Sequence, residues 1–233
     1  MPGDMNKNLT EIAFILDRSG SMASVTEAAI TGFNEFLRDH QKAEGQARLT
    51  LVLFDYEYLV PLDCIPVQEA IALDTTTYVP RGSTSLLDAI GTTIDRRGAR
   101  ISAMHEPDRP GQVLVAISTD GFENSSEKFT WKDISHKILE QTNNYKWQFL
   151  FLGANQDAIA TAASLNIAAA NASGYTGDHI GTYSSSKAIS RKTTAMRKMS
   201  SGATMNVKEQ SDAAAPMSAI VAEEDAEGRK GKK

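Results

Sequence analysis

The feature that most constrains the fold is a short apolar run, Glu11-Ile-Ala-Phe-Ile-Leu16, that ends at Asp17. A nearly continuous apolar run of this length is typical of a strand buried on both faces. After a break at Ser19-Gly-Ser21, apolar residues recur at helical spacing from Val25 to about His40. A strand followed directly by a helix predicts an α/β unit, with Asp17 at the turn between the two elements.

The rest of the chain repeats this alternation. Two strand candidates around a short polar turn, 49–54 and 58–62, predict an antiparallel pair. Pro61 and Pro66 favour the sheet edge for this pair, because proline has no amide hydrogen. The further predicted elements are a helix over 85–104, a strand over 112–119, a helix over 131–141, a strand over 147–152, a helix over 157–165, a weak strand over 166–170 and a helix over 180–199. The pattern predicts a Rossmann-like three-layer α/β/α sandwich with a mainly parallel central sheet and one antiparallel edge strand.

Composition predicts one folded domain and a tail. Of the 233 residues, 41% are apolar and 23% charged, close to the globular average. We expect the domain over residues 8–199, and we interpret the cations of its last helix as a solvated face. Those cations are Lys187, Arg191, Lys192, Arg197 and Lys198. Small and charged residues dominate 200–233, so we expect a disordered tail there, with a short docking element around Val207, Met217, Ile220 and Val221 as the alternative.

Net charge and cysteine content limit the classes of partner and the cellular compartment that we expect for this chain. The net charge of −5 disfavours nucleic acid as the default partner. The single cysteine, Cys64, excludes an intramolecular disulfide and a cysteine-based zinc cluster, and a reducing cytosol is compatible with it. The first ten residues lack the apolar run of a signal peptide, and no stretch approaches the length of a membrane span, so we expect a cytoplasmic protein without membrane association.

Three segments rich in oxygen-bearing side chains follow predicted strands or precede a predicted helix. Asp17-Arg-Ser19-Gly-Ser21 follows the first strand, Thr84 lies just before a helix, and Asp120 ends the strand over 112–119. Ligands of open α/β sheets collect at the carboxyl ends of the strands. Carboxylates and hydroxyls that converge there suit a hard divalent cation, which prefers oxygen ligands. The alternative interpretation is that these residues only cap helices and brace loops.

This pattern resembles the metal-ion-dependent adhesion site of von Willebrand factor A domains, which has the form Asp-x-Ser-x-Ser, a distant Thr and a distant Asp. The resemblance covers roughly residues 8 to 199. Within the family, the chain is similar to stand-alone bacterial and phage-type members. It implies that Asp17, Ser19, Ser21 and Thr84 surround the ion, and that Asp120 completes the shell directly or through water. The implied metal is Mg²⁺ or Mn²⁺, with Ca²⁺ as a further alternative.

The resemblance also implies a function. A divalent ion with an open coordination position favours an Asp or Glu carboxylate from a protein partner, and some family members resemble partners of AAA+ ATPases. We expect such an interaction module rather than an enzyme. Arg18, beside the metal loop, is a candidate for steering acidic ligands, or else an ordinary solvated arginine. Glu123 is a second candidate partner-binding residue at the flank of the site.

Two other functional classes stay open. An adhesin or particle-surface receptor-binding protein would need an export signal or a larger assembly. A metal-dependent hydrolase would need a general base near Thr84 and Asp120, and none is visible in the sequence. The chain also lacks the phosphate-binding loop G-x-x-x-x-G-K-[ST], the dinucleotide motif G-x-G-x-x-G after its first strand and the nucleophile elbow G-x-S-x-G.

Overall fold

The computed structural model describes residues 5–154 and 157–230, and its centre is a six-stranded sheet. The strands are β1 (Asn6–Asp17), β2 (Gln46–Phe54), β3 (Tyr58–Pro66), β4 (Pro110–Thr119), β5 (Gln148–Ala154) and β6 (Ala172–Tyr175). Their spatial order is β3-β2-β1-β4-β5-β6, and every pair is parallel except β2 with β3. The structure thus confirms the mainly parallel sheet with one antiparallel edge strand.

Helices cover both faces of this sheet. They are α1 (Thr26–Lys42), α2 (Leu86–Ser102), α3 (Trp131–Tyr145), α4 (Ala158–Ser164), α5 (His179–Ser201), α6 (Val207–Ala214) and α7 (Met217–Lys230). One apolar core joins the sheet to α1, α5 and α7, and a second joins the opposite face to α2, α3 and α4. Phe14 and Ile15 of β1 point into different cores, as successive residues of a strand must. The three-layer sandwich follows from this two-sided burial.

The sixth strand lies later in the sequence than predicted. We expected it over 166–170, whereas β6 begins at Ala172. Asn166 has a left-handed φ of 59°, and residues 169–171 form a 3-10 turn, so the predicted segment is the connection from α4 to the strand. Leu165 and Ile167 are buried beside α4, which explains why the segment looked apolar enough for a strand.

The prediction of a disordered tail is wrong for the described residues 200–230, which form the end of α5 followed by α6 and α7. Met217, Ile220 and Val221 are nearly fully buried in the core that contains α1 and α5. The alternative of a docking element is correct for these three side chains, whereas Val207 is exposed. Few large apolar residues suffice here because they all lie on one face of α7. Residues 231–233 of the predicted tail lie outside the described residues.

The basic helix is covered rather than solvated. Lys192 and Arg197 are 5% and 3% exposed. The Lys192 ammonium donates to the main-chain carbonyls of Ala213 and Ala215, at 2.8 and 2.7 Å, where α6 ends. Arg191 forms ion pairs with Asp212 at 2.5 Å and with Glu224 at 2.8 Å. Arg191 and Lys192 therefore fix the two C-terminal helices in place, whereas Arg197 donates to the carbonyls of His40 and Gly45.

Among the described residues, no helix is both long and apolar enough to cross a membrane.

Docking of α7 predicts a contrast between two valine-to-alanine substitutions. Val221 is 5% exposed and Val207 is 84% exposed. Because two methyl groups leave the core, Val221→Ala should lower the free energy of unfolding by about 2 kcal/mol. Val207→Ala should change it by less than about 0.5 kcal/mol. Urea denaturation of both variants measures this contrast, and equal values would mean that α7 does not pack against the domain.

Candidate metal centre

The register of the parallel strands brings the predicted site together. Asp17 lies opposite Phe54 of β2, and Leu16 lies opposite Ser118 of β4, so these three strands end at one level. Asp120 follows β4 directly. The segment that carries Thr84 arrives from the side, where the Ser85 amide donates to the Asp55 carbonyl at 2.9 Å.

The Asp17 carboxylate is fully buried and held from both sides. One oxygen, Oδ1, accepts the Ser19 amide at 2.6 Å, and the other, Oδ2, accepts the Thr119 hydroxyl at 2.5 Å. The Tyr78 hydroxyl donates to the Asp17 main-chain carbonyl at 2.5 Å. These bonds fix the rotamer of Asp17 and leave each carboxylate oxygen a further lone pair.

Hydroxyl oxygens lie close together next to Asp120. Ser19 Oγ lies 3.1 Å from Ser21 Oγ, which donates to Asp120 Oδ1 at 2.5 Å. A Cβ atom on Gly121 would lie 2.8 Å from Thr84 Oγ1, 3.5 Å from Ser21 Oγ and 3.6 Å from Ser19 Oγ. Three hydroxyl oxygens therefore lie around the position that a side chain at Gly121 would take, and the absence of that side chain lets them come close together.

Burial raises the pKa of both site carboxyls. The pKa of Asp17 is raised from 3.8 to about 6, chiefly by burial, with a smaller contribution from the charge of Asp120. Burial likewise raises the pKa of Asp120. Among the described residues, no ion pair with a basic side chain neutralises either carboxylate. When ionised, the two carboxylates therefore have no neighbouring basic side chain to compensate their charge.

The donor set fits a hard cation rather than a transition metal that prefers nitrogen or sulfur. Within the described chain no group of three or more His, Cys, Asp or Glu side chains is placed to hold a metal, so hydroxyls must complete any shell. Two oxygens that share an octahedral Mg²⁺ lie about 3 Å apart. The 3.1 Å between Ser19 Oγ and Ser21 Oγ matches that spacing. The structure thus brings all five predicted residues together at one edge of the sheet.

Arg18 does not face the opening, which contradicts both predicted roles. It is 4% exposed, and its guanidinium lies 2.9 Å from the carboxylate of Asp55, which is fully buried. Arg81 also pairs with Asp55, at 3.1 Å. The cause is the register: β2 ends beside β1, so Asp55 comes next to Arg18, and a buried carboxylate holds the nearest cation. Arg18 is therefore neither solvated nor free to steer a ligand.

Glu123, the second predicted partner-binding residue, is half-buried and holds main-chain amides. Its carboxylate accepts the amides of Leu87 at 2.9 Å, Ser125 at 3.0 Å and Ser126 at 2.7 Å. Asp88, which the sequence places outside the metal shell, accepts amides of 127–129 and does not join the site. Both carboxylates organise the loop after Asp120.

Three residues that the sequence analysis missed support the site. Thr119 orients Asp17, Tyr78 fixes its main chain, and Asn124 accepts the Thr84 amide at 2.9 Å. Thr119 is the residue before Asp120 at a strand end, so its position was a usable indication. Tyr78 and Asn124 lie in irregular segments without periodicity, and only the tertiary structure reveals their contacts.

No model of a protein family and no curated protein matches the sequence. Solved structures do match the fold. Proximal thread matrix protein 1 from the mussel byssus aligns with a TM-score of 0.52 and 12% identity, over 78% of this chain and 45% of that one. VWA2, the ArnB paralog from Sulfolobus acidocaldarius, aligns with a TM-score of 0.50 and 14% identity, over 81% and 46%. A von Willebrand factor type A protein from Catenulispora acidiphila aligns with a TM-score of 0.50 and 15% identity, over 80% and 42%.

These matches show the fold. The chain has the Rossmann-like α/β fold of von Willebrand factor A domains. It spans less than half the length of each of these three structures.

Burial of Asp17 predicts that Asp17→Asn stabilises the metal-free protein. The folded-state pKa is raised from 3.8 to about 6, so the stabilising contribution of this group is complete below pH 3.8 and is lost as the pH rises through 6. The shift corresponds to a cost on the order of 2–3 kcal/mol for the buried charge. In chelator at pH 7.5 the variant should therefore unfold at higher urea than the wild type.

Urea titrations of both proteins between pH 4 and 8 measure the difference in unfolding free energy, which should grow in favour of Asp17→Asn across pH 4–7. A difference that is constant with pH, or that favours the wild type at pH 7.5, would contradict a buried, uncompensated carboxylate.

Proposed function

We propose that this chain is a divalent-metal-dependent protein-interaction module, rather than an enzyme, and that Asp17, Ser19, Ser21, Thr84 and Asp120 hold the ion. The observation that carries the proposal is the group of three hydroxyl oxygens around Gly121, which lies beside two carboxylates of raised pKa. Mg²⁺ is the proposed metal, with Mn²⁺ and Ca²⁺ as alternatives, because the donors are all hard oxygens.

Each residue has a role in this proposal. Asp17 supplies a buried charge whose orientation Ser19 and Thr119 fix. Thr84, Ser19 and Ser21 add dipoles without charge, and Asp120 contributes directly or through water while its carboxylate accepts the Ser21 hydroxyl. A bound divalent ion would supply an electrophilic position at the surface of the domain. Ser21 is exposed, so this position is accessible to another protein.

The partner that this chemistry fits is a protein that offers an Asp or Glu carboxylate. An acidic side chain would both ligate the ion and neutralise its remaining charge. Phe122 lies two residues after Asp120 and is 65% exposed, which provides an apolar contact beside the proposed carboxylate position. An AAA+ ATPase in the cytoplasm is one candidate for the partner.

The interaction role is favoured over hydrolysis because the site residues are already engaged. Both oxygens of Asp17 accept hydrogen bonds, and the Asp120 carboxylate accepts the Ser21 hydroxyl. Among the described residues, no imidazole or amine forms a hydrogen bond with the hydroxyls of Ser19, Ser21 or Thr84. A hydrolase would need such a base to activate a nucleophile.

Two glycine-to-alanine substitutions test metal binding. The Gly121→Ala methyl group would press against the site hydroxyls, 2.8 Å from Thr84 Oγ1, whereas a Cβ on Gly98 in α2 meets nothing within 4 Å. Calorimetric titration with MgCl₂, MnCl₂ and CaCl₂ should show binding for the wild type and Gly98→Ala, and none for Gly121→Ala or Asp17→Ala. At a metal concentration 100 times the dissociation constant, binding should raise the stability of the wild type by about 2.7 kcal/mol.

If the wild type binds none of the three metals at millimolar concentration, the metal site is refuted. Binding that Gly121→Ala retains in full would place the ion elsewhere in the chain.

Partner binding is tested separately, with immobilised wild type and Gly121→Ala in Mg²⁺ or in chelator. A partner of the proposed kind should bind only to the wild type in Mg²⁺, and substitution of its docking Asp or Glu by Asn or Gln should abolish binding. A partner that stays bound in chelator would show that the interaction uses another surface.

A further inference from the structure

We propose that the segment 123–126, together with Asp88, acts as a positioning device that fixes Thr84 against the Asp120 loop and makes the site prefer Mg²⁺ over Ca²⁺. We call these residues the latch: Asp88, Glu123, Asn124, Ser125 and Ser126. The proposal deepens the proposed function and rests on it.

The centre of the latch is a two-bond clip between Asn124 and Thr84. Asn124 Oδ1 accepts the Thr84 amide at 2.9 Å, and the Asn124 amide donates to the Thr84 carbonyl at 3.1 Å. Thr84 is 3% exposed, so its amide has little access to water if the acceptor is lost. Asn124 is four residues from Asp120, and the clip therefore ties the two halves of the candidate site to each other.

The clip is reinforced by Glu123 on the side of α2. Its carboxylate accepts the Leu87 amide at 2.9 Å, in the first turn of α2, and also accepts the amides of Ser125 and Ser126 from its own loop. The hydroxyl oxygens of Ser85 and Ser125 lie 2.9 Å apart. A negative charge at a helix N-terminus is favourable, so Glu123 holds the loop to the element that starts just after Thr84.

Asp88 fixes the far end of the same loop. Its carboxylate accepts the amides of Glu127, Lys128 and Phe129 at 2.9, 2.9 and 3.0 Å. The Asp88 amide in turn donates to the Ser126 hydroxyl at 3.1 Å. The loop after Asp120 is thus attached to the start of α2 along its whole length, although it contains no helix or strand.

This rigidity has a consequence for metal choice. Mg²⁺ requires near-ideal octahedral geometry with short bonds, whereas Ca²⁺ accepts longer bonds and flexible coordination. Residues that orient metal ligands tune affinity without touching the ion. A loop that fixes Thr84 relative to Asp120 therefore favours the ion with the stricter geometry, and a loosened loop should lose that preference.

The test is the ratio of the Ca²⁺ and Mg²⁺ dissociation constants, measured by calorimetry on the full chain. Asn124→Ala should weaken Mg²⁺ binding about tenfold, as expected for a buried amide left without its acceptor, and Ca²⁺ binding by less than about threefold. Glu123→Gln should shift the ratio in the same direction. Asn124→Asp keeps the acceptor for the Thr84 amide. Its ratio of dissociation constants should stay near that of the wild type, even if the added charge strengthens the binding of both metals equally.

Asn34→Ala is the matched control for a purely structural effect. Asn34 also clips the main chain, with both of its bonds to Leu73 at 2.8 Å, and it belongs to α1 rather than to the latch. Asn34→Ala should lower the melting temperature and leave the ratio of the Ca²⁺ and Mg²⁺ dissociation constants unchanged. In chelator, hydrogen exchange at the Thr84 amide should be slow in the wild type and in Asn34→Ala, and faster in Asn124→Ala.

Two outcomes overturn the latch and can be told apart. If the wild type binds neither metal, the proposed function and the latch fall together. Suppose instead that the wild type binds Mg²⁺, and that Asn124→Ala weakens the binding of both metals by the same factor or leaves both unchanged. The metal site then stands and the latch is refuted.

Discussion

The organisation of this protein depends on the parallel register of β2, β1 and β4. Because Asp17 lies level with Phe54 and one position beyond the Leu16–Ser118 pair, the loops after these three strands meet at one edge of the sheet. The same register that brings Asp120 to Asp17 also brings Asp55 to Arg18. One pairing pattern therefore creates an uncompensated pair of carboxylates and, beside it, a neutralised ion pair.

The strength of sequence reasoning here was its use of strand ends. The continuous apolar runs predicted β1, β4 and β5, because a strand that is buried on both faces needs apolar side chains at nearly every position. The five oxygen-bearing residues were then found from their places at the ends of those elements. The sheet order, which the β/α alternation largely dictates, brings Asp17 and Asp120 to one edge. Thr84 lies on a loop and is held there by the hydrogen bonds of Ser85 and Asn124.

What sequence reasoning could not predict was the direction of long charged side chains. Arg18 and Glu123 were assigned to the surface because charged residues are usually solvated, yet each is held by partners distant in sequence. Lys192 was missed for the same reason, since its partners are the carbonyls that α6 leaves unpaired at its end. Such pairs depend on tertiary contacts, and neither net charge nor helical periodicity encodes them.

The two lateral borders of the sheet also restrict how another molecule can approach. At one border, β3 contains Pro61 and Pro66, shifts register against β2 and turns through a left-handed residue at Cys64, where φ is 54°. At the other, β6 has only four residues, and α7 packs beside it. Neither border presents a long, regular row of free amides, so strand addition and edge-to-edge aggregation are disfavoured. A molecule that approaches the sheet therefore meets irregular or covered backbone at both borders, whereas the carboxyl ends of β1 and β4 present loops rather than a backbone ladder.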